Sequence, residues 1–166
     1  MAGFEGDVGP PRVSTDERTT LVSFLDYLRD RVVVKLQGLG EDQARRSLVP
    51  SGTSLLGLVK HLAVVELGWF RWSFAGEDLD LSPRDVDLVP EDTIASVIAM
   101  YRAAVHSARE TTAGSFDLDQ RAVRSRQPEV EPPSLRWILV HMIEETARHA
   151  GHADILREQI DGTVGR

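Results

Sequence analysis

The stretch Glu144-Glu145-Thr146-Ala147-Arg148-His149-Ala150-Gly151-His152-Ala153-Asp154 decides the fold of this chain. It lies within one long helix that Ser134 caps and Asp161-Gly162 stops, with Trp137, Ile138, Val140, Met142, Ile143, Leu156 and Ile160 as apolar positions. Residues three and four apart on a helix share a face, so Glu145, His149 and His152 project from one side, with His141 one turn earlier. That concentration of donors points to metal binding rather than to ordinary core packing. Two ligands from one helix cannot close a site, so a third has to come from a facing helix. The histidine in a strongly apolar helix elsewhere is His61.

The helix of His61 starts at a cap at Thr53 or Ser54 and runs to about Phe74. Leu55, Leu56, Leu58, Val59, Leu62, Val64, Val65, Leu67, Trp69, Phe70 and Trp72 make it apolar nearly all round, which predicts the most buried element of the fold. At about 100° per residue, Ser54, Leu58, His61, Val65, Gly68 and Trp72 share a face. His61 then points where a neighbouring helix packs, and Trp72 is the candidate for lining a pocket on the same face. The rest of the Trp69-Phe70-Arg71-Trp72 cluster reads as core. Glu66, set among apolar neighbours, should pair with a basic or backbone group rather than act as a base.

Two further helices complete the pattern. Ser14-Thr15-Asp16-Glu17 has the form of a capping box, and Leu21, Phe24, Leu25, Leu28, Val32 and Leu36 follow at spacings that carry a helix to Gly38 and Gly40. Arg29, Asp30, Arg31 and Lys35 read as its solvated face. Pro90-Glu91-Asp92-Thr93 opens another helix, to about Gly114, whose buried stripe is Ile94, Val97, Ile98, Tyr101, Val105 and Ala108; His106 lies off that stripe, on the surface. Residues 40–53 and 75–90 read as loops, and residues 115–133, with Pro128, Pro132 and Pro133, as a long connection that shapes a pocket mouth. Four long amphipathic helices without strand alternation or internal repeats predict an all-α four-helix bundle with long connecting loops. Residues 1–13 are expected to be a flexible tail, 14–162 a single metal-binding domain and 163–166 a C-terminal tail.

The 166-residue length is that of one domain, large enough to bury roughly 68–70% of its unfolded surface. The absence of cysteine excludes disulfides, thiolate metal sites and a cysteine nucleophile, and suits the cytoplasm; any thiol chemistry needs an external thiol. The N-terminal residues carry Glu5 and Asp7 and form neither a signal peptide nor a membrane anchor. A net charge of -7 repels phosphate backbones, and no basic stripe with aromatics is present, so neither nucleic acid nor membrane is an expected partner.

Helix bundles build metal sites from carboxylates and histidines on facing helices. Glu144 has Arg148 four residues on, an ordinary helix ion pair, whereas the residue four beyond Glu145 is His149, so Glu145 is the better ligand. One carboxylate oxygen and two imidazole nitrogens suit Zn²⁺ or another divalent first-row metal, and three protein ligands leave a position open, as in catalytic sites. The plainer alternative is that histidine-rich helical faces occur on ordinary surfaces and that a lone histidine on an apolar helix is a hydrogen-bonded core residue. His152 and His141 carry both readings: either stands beside the open position, orienting a ligand or moving a proton, or simply hydrogen-bonds its neighbours.

The pattern Leu58-Val59-Lys60-His61-Leu62-Ala63-Val64-Val65-Glu66, followed by Glu145-x-x-x-His149-x-Gly151-His152-Ala153-Asp154 and Arg157-Glu158-x-x-Asp161-Gly162, resembles the DinB superfamily. More narrowly it resembles the actinobacterial branch that includes mycothiol-dependent maleylpyruvate isomerase, over about residues 15–162. The resemblance implies a four-helix bundle that holds a divalent metal by three side chains, here His61, Glu145 and His149 by position. It further implies a homodimer and a thiol-dependent, mycothiol-type transferase in which zinc, or else nickel, iron or manganese, activates a small thiol toward an electrophilic substrate. A hydrolase using metal-bound water and a non-catalytic, dimeric ligand-binding module are the alternatives.

Overall fold

The computed structural model describes residues 9–12, 15–82, 86–115 and 117–165, and among these the chain is all-α. Its α-helices are α1 (Glu17–Val34), α2 (Glu41–Arg45), α3 (Leu55–Glu66), α4 (Ile94–Ala113) and α5 (Leu135–Asp161), and α3 continues directly into a π-helix, Leu67–Phe74. α1 packs along α5 and α3 along α4, while α3 also meets α5 and the π-helix meets α4. The four long helical segments make the expected bundle.

Local chemistry sets the helix ends. Ser54 accepts from the Gly57 N–H at 3.2 Å, Ser134 from Trp137 at 3.3 Å, and Thr93 from Ser96 at 3.0 Å, each satisfying a donor of the first turn. Gly162 ends α5 in a left-handed conformation, φ 77°, with its N–H on the Glu158 carbonyl at 2.8 Å. At α1 the cap is Asp16, which accepts from the Thr19 N–H at 2.9 Å; those donors hold its carboxyl at a pKa of about 2. Ser14, the residue expected in that role, lies outside the described residues.

The structure corrects two expectations. Residues 40–53 contain α2, a single short helix whose Gln43 side chain accepts from the Gly40 N–H at 2.9 Å and whose Ala44 is fully buried. Arg29 and Lys35 do not lie on a solvated face; they are 5% and 3% exposed. The Arg29 guanidinium binds both oxygens of Glu66, at 2.7 and 2.6 Å, and reaches Asp26 at 2.9 Å. Glu66 is completely buried, so its partner is the basic group its apolar surroundings demanded. Burial works against the Arg29 charge, but Glu66 and Asp26 outweigh it and hold the guanidinium protonated. Lys35 lies 2.6 Å from Asp154, and Arg157 donates to the Lys35 and Gln37 carbonyls at the end of α1, so both cations fasten α1 to α5. Asp30 is exposed, as expected, and so is His106.

The π-helix positions the long connection. Its wider turn leaves carbonyls near its end for the loop to use: Arg124 N–H donates to Ser73 O at 2.9 Å, and Ser73 Oγ donates back to Arg124 O at 2.6 Å. At its far end the loop is fixed to the start of α5 by Leu135 N–H to Gln120 O and by Ala122 N–H to Pro133 O. Residues 120–124 therefore have a defined path beside the π-helix.

Candidate metal centre

His61 sits in the middle of α3, and Glu145 and His149 sit one turn apart on α5. Packing of α3 against α5 brings His61 Nε2 to 3.2 Å from Glu145 Oε1, while His149 Nε2 stands 3.1 Å from the same oxygen. The two imidazole rings meet edge to face with centroids 4.9 Å apart. One donor atom from each residue lies within 4.8 Å of the others. Donors about 2.0–2.1 Å from a tetrahedral zinc stand roughly 3.3–3.4 Å apart, so the observed separations of 3.1 and 3.2 Å are close to those of a coordinating set. The second ring nitrogen of His149, Nδ1, is buried and has no hydrogen-bond partner among the described residues, which leaves Nε2 as the engaged end of that ring. The chemistry and spacing of the donors fit a divalent ion.

Arg148 lies between the two neighbouring glutamates. Its guanidinium holds Glu145 Oε2 at 2.6 Å and Glu144 at 2.9 Å, so it pairs with both. Glu145 keeps Oε1 for the histidines, whereas Glu144 is largely exposed and turned to solvent. Burial opposes the Glu145 charge, but the hydrogen bond with His61 and the charges of His149 and Arg148 hold its carboxyl below the usual range. Burial also pushes His149 below the ordinary imidazole value against the pull of Glu145, and the neutral ring this favours is the form that ligates metal.

His61 is the donor that lines a cleft of about 490 Å³, with Val64, Val65, Gly68, Trp72, Leu79 and Leu81 among its other walls, and His61 and His149 together line a second depression of about 400 Å³ beside Ser54, Leu58 and Leu88. Trp72 thus shares the cleft with His61, as the common helix face predicts, even though the helix changes from α to π between them; the Arg124 guanidinium stacks 5.5 Å over its ring. His152 is exposed, with its ring 5.4 Å from that of His149, beside a separate depression formed by Val49, Ser51, Thr53, Ile155 and Leu156. His141 lies outside the donor triangle: its ring stacks on Trp137 and meets Trp69 edge to face, centroids 5.0 and 4.9 Å away, and burial lowers its pKa.

Sequence periodicity does not reveal Arg126, which reaches the same cleft from residues 115–133 and stacks 4.4 Å over the Trp69 ring. A loop residue has no repeat to betray its direction; the legible hint was the unusual length of the connection. Among the described residues no helix is long and apolar enough to cross a membrane.

No curated protein matches the sequence. Residues 20–162, which include every donor described above, match the sequence model of the family described as mycothiol-S-transferase, and the chain belongs to that family.

Proposed function

We propose that this protein is a divalent-metal-dependent S-transferase that joins a small thiol of the mycothiol type to an electrophilic substrate. The observation that carries the reading is the convergence of His61, Glu145 and His149, with His61 also lining an apolar cleft, in a chain of this family. An ion held there, zinc foremost and otherwise nickel, iron or manganese, would lower the pKa of a thiol at the open position and make a thiolate available near neutral pH.

The chain's own residues do the rest. His61, Glu145 and His149 supply the donors, and Arg148 fixes which oxygen of Glu145 faces them. Trp72 and the aliphatic walls bind apolar parts of the reactants and keep water from the sulfur. The thiol gives up its proton, the carbon–sulfur bond forms, and the leaving group departs with its bonding pair. His152, exposed beside His149, is assigned to passing that proton to solvent, and His141 to packing against its two tryptophans. The reading extends to a cytoplasmic homodimer, as the resemblance implies.

The test is elemental analysis of protein purified without a histidine tag, beside His61→Ala and His149→Ala, followed by titration with mycothiol. The expected result is about one divalent ion per wild-type chain, lost from both variants while helicity persists, and thiol binding that needs the ion. Protein that stays metal-free in the presence of zinc or nickel would overturn the reading. A metal-loaded protein that ignores thiols but cleaves ester or amide substrates would replace it with the hydrolase.

A further inference from the structure

We propose that Arg126 recognises a carboxylate on the electrophilic substrate, so that the substrates of this protein are small organic acids with an apolar body. The inference rests on the metal-dependent transferase reading and adds the substrate class to it.

The cleft walls are aliphatic and aromatic, and Arg126 brings a full positive charge to them. Its placement is built rather than accidental. The two-way bonds between Arg124 and Ser73 fix the loop two residues earlier, and the guanidinium carbon sits over the Trp69 ring, 4.4 Å from its centroid. Its Nη2 rests against Gly68, where a Cβ would collide with it. Gly68 is not among the glycines with positive φ, so what the absence of a side chain provides there is room for Arg126. Among the described residues Arg126 forms no ion pair with a carboxylate. Its charge is nevertheless felt by His141, and that of Glu145 by Arg126, which places the guanidinium within electrostatic reach of the donor cluster.

Electrophile and thiol must meet beside the donors, and the cleft that His61 shares with Arg126 is assigned to the body of the electrophile. A guanidinium with its fork free offers paired N–H donors matched to a carboxylate.

The experiment compares 3-phenylpropionate with 3-phenylpropionamide, an acid and its neutral amide of nearly equal shape. Binding is followed by NMR shifts of the Gly68 amide and the Trp69 and Trp72 indole N–H groups, in metal-free and zinc-loaded protein. The expected result is a preference for the acid of about tenfold or more in both forms, reduced to near parity in Arg126→Gln. Gly68→Ala, which pushes the guanidinium away without touching the donors, should reduce it likewise. Equal binding of acid and amide by the wild type, or a preference that survives Arg126→Gln, overturns the proposal; a preference seen only with zinc does so too, because the metal is then reading the acid. Arg126→Gln should keep the metal content of the wild type. Loss of the transferase reading shows as absent metal or absent thiol binding, and loss of this one as absent acid preference in a protein that binds both.

Discussion

The Arg148 guanidinium lies 2.6 Å from Oε2 of Glu145, and Oε1 of the same carboxylate faces both His61 and His149. One residue outside the donor set thus decides how a donor presents itself. Such supporting contacts orient ligands and tune their basicity.

Arg148→Met should therefore weaken zinc binding by about 10–100-fold while leaving the helical spectrum unchanged. Competition against a calibrated chelator measures it. Glu144→Gln, which removes the other carboxylate on Arg148, should leave affinity as it was. An Arg148→Met protein that binds zinc as tightly as the wild type removes Arg148 from the site.

The buried pair Arg29–Glu66 predicts a different pattern, in stability rather than affinity. Glu66→Ala leaves a guanidinium that is 5% exposed with Asp26 as its remaining acidic partner, which costs up to about 3–5 kcal/mol in denaturant unfolding. Arg29→Met with Glu66→Leu removes both charges together and should recover most of that loss. If the double variant is no more stable than Glu66→Ala, the cost lies in shape rather than in the unpaired charge.

Acidification gives a third prediction, for the metal-free protein. Burial lowers the pKa of both His149 and His141 below the ordinary value near 6.5. Between the lowered folded value and about 6.5 the unfolded chain binds more protons than the folded one, so stability rises with pH in that window. Tm should fall as pH drops from 7 to 5. Glu145, also held low, adds a loss of the same sign at more acid pH, as its own carboxyl is protonated in the fold. His149→Gln and His141→Gln should each flatten the slope between pH 7 and 5; a slope identical to that of the wild type in both would show that neither ring is held neutral by the fold.

The long helices were legible because each buries a stripe at helical spacing and opens with a side-chain cap: Ser134 is where the sequence placed it, and Ser54 is one of the two residues, with Thr53, that the sequence offered. α2 was not, because five residues are too few to show a period, and Gly40 with Gln43 is a weaker start signal than a serine cap. Arg29 and Lys35 looked solvent-facing because local spacing cannot show Glu66 and Asp154 waiting on other helices. For the candidate site the same division holds. Glu145 and His149 are neighbours on one helix, and their proximity to each other follows from spacing alone. His61 was singled out as the histidine of another strongly apolar helix and joined to them by position through the resemblance, and Arg126 had neither a period nor a motif to mark it.

The donors sit on α3 and α5, whereas Arg126 arrives on a segment fastened to the π-helix chiefly through main-chain hydrogen bonds. Main-chain bonds are largely indifferent to which side chains the segment carries. Residue 126 can accordingly be exchanged with little disturbance to the helices, and a lineage could acquire new substrates by point changes in one connection while its reactive centre stays as it is.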